Sequence, residues 1–220
     1  CSFFHDHFST RLDKNQFGST KKRSTTHALI RFSHDLFLAS DEPGNIIRVL
    51  FVDFAKAFDL IDHNILMRKF IDNDFSLHLS CWSLSFLEDR KQFVKVANGV
   101  SSTAKICCGC PQGTLSGPNN FKLMINDLRF LLSYIKYVDD TPVASMSKYP
   151  DDTSLQGALN DLTAWCALNS MRLNTAKTNE VVIYFGKKYD LSHIKSLECN
   201  DNVINRVDTF KLLGVFLIVI

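Results

Sequence analysis

The chain has 220 residues, 45% of them hydrophobic and 22% charged, with a formal net charge of +2. That length and apolar content can bury one large or two small cores, and the charge balance neither requires nor excludes a nucleic-acid partner. Seven cysteines, an odd number without framework spacing, speak against a disulfide scaffold and for reduced thiols in an intracellular protein. There is no signal peptide, and no apolar run reaches the roughly 18 residues of a membrane span.

In chain order, residues 1–20 are polar and read as loop and short strand. Residues 1–31 carry six cations (Arg11, Lys14, Lys21, Lys22, Arg23, Arg31) against Asp6 and Asp13, a basic segment of a kind that can meet phosphates or form a solvated face. From Ser24 to Ala39, the positions Ala28, Leu29, Phe32, Leu36 and Phe37 recur at helical spacing. Asp41 to Asn45 is a turn, and Ile46 to Phe54 is a nearly continuous apolar run that suits a strand covered on both faces. A helix follows Asp62 with Ile65, Leu66 and Phe70 inward. Ser76 caps another, on which Leu79, Trp82, Phe86 and Leu87 share a face.

Asn98-Gly99 sits between Gln92–Ala97 and Val100–Cys107 and predicts a hairpin turning there. Cys107, Cys108 and Cys110 are crowded, but no second Cys/His pair completes a zinc site, so they read as small hydrophobes at a buried strand end. A Gly/Pro-rich stretch, 109–118, precedes a helical stripe of Phe121, Met124, Ile125 and Leu128. A hairpin over 133–146 follows. Leu155, Leu159, Leu162 and Cys166 mark a long helix entered at Asp151-Asp152, which reads as its N-terminal cap. Glu180 to Phe185 is a strand, and the tail holds short strands around a turn at 200–202. Helices and strands alternate, but hairpins outnumber parallel crossovers, which gives an α+β class. The chain starts at Cys1 and stops inside an apolar run, so both ends read as cut from a longer protein.

Two carboxylates, Asp139 and Asp140, stand at the tip of the 133–146 hairpin. They read either as a solvated acidic turn or as half of a cation site, because adjacent carboxylates repel unless a cation shares them. Asp53, near the end of a buried strand, is costly if unpaired; it turns into solvent, caps the next helix, or joins the pair. Three carboxylates around one point would suit hard divalent cations such as Mg2+ and an in-line displacement at phosphorus.

Three ordered blocks sharpen the choice. They are Phe51-Val52-Asp53-Phe54-Ala55-Lys56-Ala57-Phe58-Asp59 with Asp62-His63; Gly109-Cys110-Pro111-Gln112-Gly113-Thr114-Leu115-Ser116-Gly117-Pro118 with Phe121 and Ile125-Asn126-Asp127-Leu128; and Tyr137-Val138-Asp139-Asp140. Together they resemble the reverse transcriptase domain of non-long-terminal-repeat (LINE-like) retrotransposons. Asn15-Gln16-Phe17-Gly18 with Arg23-Ser24-Thr25, Trp165 with Leu173-Asn174 and Lys177-Thr178, and Lys211-Leu212-Leu213-Gly214-Val215 extend the resemblance over essentially the whole chain.

The resemblance implies a polymerase fingers-and-palm fold. Its palm would be an antiparallel, ferredoxin-like sheet packed on helices, with fingers roughly 1–45 and 75–110, palm roughly 46–74 and 111–220, and the thumb missing. It implies RNA-directed DNA synthesis with two Mg2+ ions, or Mn2+ in their place. An RNA template, a DNA primer and deoxynucleoside triphosphates would be the partners, in a nuclear or cytoplasmic ribonucleoprotein and without a membrane. Asp53, Asp139 and Asp140 would hold the metal, with the Phe54 carbonyl as a further ligand. Ala57, Phe58, Gln112, Gly113, Lys177 and Arg23 would meet the nucleotide. Phe58 would act as the steric gate against a 2′-hydroxyl, although alone it reads as a core aromatic. Gln112 and Gly113 would lie against the incoming nucleotide, Lys177 near the leaving pyrophosphate, and Arg23 on the triphosphate; both cations also read as solvated side chains.

Departures from the family pattern are Ser19-Thr20 where Phe-Arg is usual, Asn119-Asn120 at apolar positions, Pro142 after the acidic turn, and Val138, a mild change. They leave three alternatives: an inactive relic that keeps the fold, a module that only binds RNA, and an RNA-dependent RNA polymerase, against which Phe58 argues.

Overall fold

Ile46–Val52 forms strand β1, and all seven of its residues are buried. A strand covered on both faces needs no polar alternation, which accounts for its apolar run. Each fully buried large apolar side chain contributes about 1.5–3 kcal/mol. In the computed structural model, which describes residues 4, 7–111, 113–114, 116–186 and 189–218, β1 is the middle strand of a five-stranded sheet. The strand ends at Val52, two residues short of the expected Phe54, because the chain turns at Asp53 to meet a later loop.

The helices are α1 (Thr25–Asp41), α2 (His63–Asp72), α3 (Leu77–Ser85), α4 (Ser116–Met124) and α5 (Ser154–Leu168). The strands after β1 are β2 (Lys91–Gln92), β3 (Lys95–Val96), β4 (Gly99–Val100), β5 (Ala104–Lys105), β6 (Ser133–Tyr134), β7 (Thr141–Ser147) and β8 (Asn179–Ile183). The tail adds β9 (Glu198–Cys199), β10 (Asn202–Val203), β11 (Asn205–Arg206), β12 (Thr209–Leu212) and β13 (Val215–Ile218). The α+β class is as expected, and no described helix is long and apolar enough to cross a membrane.

The chain divides into two compact units, Asp13–Ala55 with Leu128–Leu168 and Arg172–Ile220, and Cys1–Leu12 with Lys56–Asp127 and Asn169–Met171. The first unit holds the sheet, in the order β11-β8-β1-β7-β6. β1 pairs antiparallel with β7 and β8, and only β11 runs parallel to its neighbour. Helix α1 starts at Ser24, whose hydroxyl accepts the His27 amide. It lays Ala28, Phe32, Leu36 and Ala39 on Ile47, Val49 and Phe51. Phe37, expected inward, is exposed, because the stripe actually used runs through Ala28, Phe32, Leu36 and Ala39.

The opposite face of β1 carries Arg48, which is buried. It donates to Glu180 at 2.6 Å, to the Lys195 carbonyl at 2.9 Å and to the Asp152 carbonyl at the entry to α5. Arg206 donates to the other Glu180 oxygen at 3.0 Å, so the fully buried carboxylate has two cationic partners. Helix α5 buries Leu155, Leu159, Leu162 and Cys166 as its spacing predicts. Its entrance differs from expectation: the Asp152 carboxylate takes the Ser154 hydroxyl at 2.5 Å.

The second unit packs α2 against α3 and α4. The expected Ile65, Leu66 and Phe70 are buried on α2, and Phe121, Met124 and Ile125 in and after α4. Helix α3 departs from prediction. Trp82 and Phe86 are exposed, Leu79 is half-buried, and Ser80 and Leu87 are the buried positions. Its Ser76 cap is as expected, accepting the Leu79 amide. The ribbon β2–β5 turns at Ala97-Asn98, because Val96 pairs with Gly99, one residue earlier than Asn98-Gly99 predicts. Cys107 and Cys108 are exposed and only Cys110 is buried, so the three are not a common strand-end core.

Candidate active site

Asp53 is the first residue beyond β1, and its main chain is held on both sides. Its amide donates to the Thr178 hydroxyl at 3.2 Å, and its carbonyl accepts the Asn174 amide at 2.8 Å. The Ala55 amide reaches the Arg172 carbonyl at 2.9 Å. Phe54 bridges Leu173 and meets the Trp165 ring edge-on at 6.3 Å. A loop more than a hundred residues downstream therefore sets where the Asp53 carboxylate stands. Lys177 lies exposed on that loop, its own amide bonded to the Asn174 carbonyl. The positioning parts of Asn174 and Thr178 escaped the sequence reading; the turn is closed by main-chain bonds from Lys177 and Thr178 to the Asn174 carbonyl, which leave no side-chain signature.

The β6–β7 hairpin closes through Tyr137 and Asp140, whose amides and carbonyls pair at 2.8 and 3.2 Å. Its loop residues are Val138 and Asp139. Val138 sits at φ 60°, where a β-branched residue is a genuine outlier, so its presence is more than the mild change read from sequence. Because Val52 pairs with Thr141, the antiparallel register carries Asp53 to the level of Asp140.

Pro142 does not break this alignment. Its carbonyl accepts the Ile135 amide, so its nitrogen also faces β6, since both groups of one residue point the same way in an antiparallel ladder. The missing donor is lost toward the two-residue edge strand, and the β1–β7 ladder runs unbroken from Ile46 to Val52.

Asp139 and Asp140 stand within the electrostatic reach of Asp53. Shelter from solvent raises the Asp139 carboxyl above its usual value, and the Asp53 charge adds to it. Asp140 is pushed up to about 6, by burial first and then by Asp139 and Asp53. Asp139 and Asp140 are each exposed as whole residues, but their carboxyls are sheltered enough for loss of solvent to lead. These are the marks of oxygen donors gathered without a compensating charge, and that donor chemistry fits a hard divalent cation. The side chains do not close into a cage: among the described residues no group of three His, Cys, Asp or Glu is arranged to hold a metal ion. Mg2+ does not require one, since it keeps several waters and takes one or two carboxylates plus substrate phosphates.

Other expected residues lie in the second unit. Phe58 stacks on Phe121 with centroids 4.9 Å apart, and Ala57 is buried. The Gly109 and Cys110 amides donate to the Ile61 and Phe58 carbonyls at 2.7 and 2.9 Å, and His63 meets the Gly109 carbonyl at 2.9 Å. Two of the sequence blocks are thus stitched together. A cavity of about 250 Å³ is lined by Phe58, Pro111, Gly113, Gly117 and Pro118. Gly113 sits at φ 76° with nothing within 4 Å of where a Cβ would stand, so it offers open backbone. Gln112 lies outside the described residues.

Arg23 belongs to the first unit. It donates to the carbonyls of Lys14 and of Gln16 (2.8 Å) and lies over the Phe17 ring at 4.8 Å.

The chain resembles known proteins in sequence and in fold. The chain is 28% identical over 181 residues to a probable RNA-directed DNA polymerase from transposon BS of Drosophila melanogaster, covering 76% of the chain and 20% of that protein. It is 26% identical over 218 residues to the RNA-directed DNA polymerase from mobile element jockey of the same organism, covering 94% and 23%. The chain spans about a fifth of the length of these relatives. Among solved structures, telomerase from Candida tropicalis in complex with a telomeric RNA fragment superposes with a TM-score of 0.60 at 14% identity, over 82% of this chain and 33% of that one. An apo, truncated form of the Candida tropicalis enzyme gives 0.58 at 13%, over 86% and 40%, which shows a shared fold. Residues 4–217 match the reverse transcriptase (RNA-dependent DNA polymerase) family as a whole, and the chain belongs to that family.

Proposed function

We propose that the chain is the polymerising domain of a LINE-like retroelement, adding deoxynucleotides to a primer 3′-hydroxyl on an RNA template. The observation that carries this is the β1–β7 register, which sets Asp53 level with the Asp139-Asp140 turn at one end of the sheet. Under this reading the fingers are roughly residues 1–45 and 75–110, and the palm 46–74 and 111–220. Localisation to a nuclear or cytoplasmic ribonucleoprotein goes with it.

Asp53 and Asp139 would hold the ions, with Asp140 and the Phe54 carbonyl as further ligands. Two Mg2+ ions, or Mn2+, would activate the attacking 3′-hydroxyl and neutralise charge on the leaving pyrophosphate. The chain's own part is positioning and charge. The Asn174 and Thr178 bonds hold the Asp53 main chain, and the Tyr137–Asp140 pair holds the turn. Phe58 is braced by Phe121, and its ring would exclude a 2′-hydroxyl, which would favour deoxynucleotides. Gln112 and Gly113 would rest against the nucleotide and template base, with Ala57 beside them. Lys177 would place its charge toward the pyrophosphate.

A second reading, an inactive relic or a module that only holds RNA, is favoured by the open carboxylate geometry and the outlying Val138. Primer extension on an RNA template with Mg2+ separates the two. Extension by the chain and none by Asp139→Asn supports catalysis. Equal behaviour of the two, with salt-sensitive RNA binding retained by both, overturns it.

A further inference from the structure

The residues that resemble the fingers motif make a run of contacts with the acidic hairpin. The Phe17 amide donates to the Lys136 carbonyl at 2.7 Å, and the Lys136 amide to the Asn15 carbonyl at 2.8 Å. Residues 15–17 thus run as a short parallel partner to the strand that leads into the turn. The segment is anchored below by Asp13, whose carboxylate meets the buried Lys136 ammonium at 2.7 Å and accepts the Tyr134 hydroxyl at 2.9 Å.

At its upper end, Gln16 is 1% exposed and its side-chain oxygen accepts two amides, Gly18 at 2.8 Å and Val138 at 3.4 Å. Val138 is the residue held at φ 60°, immediately before Asp139. Gly18 lies flat against that turn. A Cβ there would stand 2.4 Å from the Val138 nitrogen, 2.6 Å from its Cγ2 and 2.8 Å from the Tyr137 carbonyl carbon. Arg23 closes the arrangement by gripping the Lys14 and Gln16 carbonyls and covering Phe17. One guanidinium nitrogen, Nη1, makes both bonds while the guanidinium lies over the Phe17 ring, a planar contact that an ammonium does not reproduce.

We infer that Gln16 and Arg23 are positioning residues that clamp the Val138-Asp139 turn and so aim the carboxylates of Asp139 and Asp140. This rests on the polymerase reading for its kinetic consequence but not for its structural one. An outlying backbone persists only where its surroundings over-determine it; around Val138 these are the Gln16 side chain and the Gly18 main chain, with Arg23 holding the segment through the Gln16 carbonyl and the Phe17 ring. The competing assignment for Arg23, a direct contact to the incoming triphosphate, makes a different kinetic prediction.

The test uses the chain with Gln16→Met, Arg23→Met and Arg23→Lys. Positioning predicts that kcat falls about 10- to 100-fold in both Met variants, with KM for the deoxynucleotide within about twofold of the parent. Arg23→Lys keeps the charge but not the planar guanidinium over Phe17, so it falls too, and the double Met variant is no worse than the poorer single one. A triphosphate contact predicts instead a raised KM in Arg23→Met, with kcat kept and Arg23→Lys near the parent; that result overturns the inference.

Amide hydrogen exchange supplies a readout independent of activity. The Val138 and Gly18 amides are protected in the parent chain and lose protection in Gln16→Met and Arg23→Met, while amides of β1 do not. If the parent extends no primer, the polymerase reading fails and the exchange pattern alone decides the clamp. Unprotected Val138 and Gly18 amides in the parent, or protection unchanged in both variants, overturns it. Should a variant fail to fold, the parent's amides still decide it.

Discussion

Lys136→Met is the most demanding test of how the hairpin is held. Lys136 is fully buried, with its ammonium on Asp13 at 2.7 Å and on the Leu128 carbonyl at 2.7 Å. Burial alone would raise the Asp13 carboxyl; the Lys136 charge and hydrogen bond, the Asn15 amide and the Tyr134 hydroxyl together hold it below the usual carboxylate range. Removing Lys136 strands a buried carboxylate and a buried carbonyl, which costs about 3–5 kcal/mol. At an m of about 2 kcal/mol/M, that is a fall of about 2 M in the urea midpoint. In a Trp82→Phe background, Trp165 fluorescence reports the unit that contains the sheet.

The sign of the pH dependence is a second check. A depressed folded pKa gives stability that is present above the unfolded value of about 3.9 and is lost as pH falls through the folded one, so the parent gains nothing from Asp13 between pH 7 and 5. In the variant, burial is opposed only by the Asn15 amide and the Tyr134 hydroxyl, and the Asp13 carboxyl is raised. Its stability then rises as pH falls from 7 toward 5. The double change Asp13→Asn/Lys136→Met removes both charges and recovers most of the loss. A single-variant cost under about 1 kcal/mol, a flat pH response, or no recovery in the double would refute the reasoning.

Two further predictions concern the site. Asp140, with its pKa pushed up to about 6, adds stability fully only below the unfolded value of about 3.9 and loses it as pH rises through about 6. At pH 8 in EDTA, Asp140→Asn is therefore more stable than the parent, by about 1 kcal/mol once solvent screening of an exposed group is allowed for. Mg2+ should stabilise the parent more than the variant, and thermal melts with and without the ion check both; a variant less stable in EDTA would count against the coupling. Phe58→Val should lower the preference for deoxynucleotides over ribonucleotides about 10- to 100-fold in kcat/KM ratio. An unchanged ratio would remove Phe58 from the role of gate.

What the sequence disclosed follows from which physical signals are local. The Ser76 cap and the stripes of α4 and α5 are set by neighbours within a turn, and they stand where the spacing places them; the β1 run does so to within two residues. Helix α3 misled because apolar residues occupy both of its sides. The more hydrophobic face, with Trp82 and Phe86, is the exposed one, whereas Ser80 is small enough to be buried and bonds its hydroxyl to the Ser76 carbonyl. The ribbon turn slipped by one residue because Ala97 takes φ 50°, a conformation usually left to glycine or asparagine. At the site, the three carboxylates and Phe58 were legible as motifs. The partners of Asp53 and of the Val138 turn were not, because hydrogen bonds between residues far apart leave no periodic trace.

The central place of β1 has a consequence for how the chain comes into being. Its seven residues are made early, but both strands that cover its edges come much later, at Thr141–Ser147 and Asn179–Ile183. Until residue 147 has left the ribosome, Ile46 to Val52 is an unpaired strand of high β-propensity with one charge, and until residue 183 follows, one of its edges stays open, the kind of segment that pairs with other chains. Contacts of such long sequence separation also close slowly. The domain should therefore depend on chaperone cover during synthesis more than its size suggests, and nascent chains halted before β8 should aggregate where chains halted after it stay in solution.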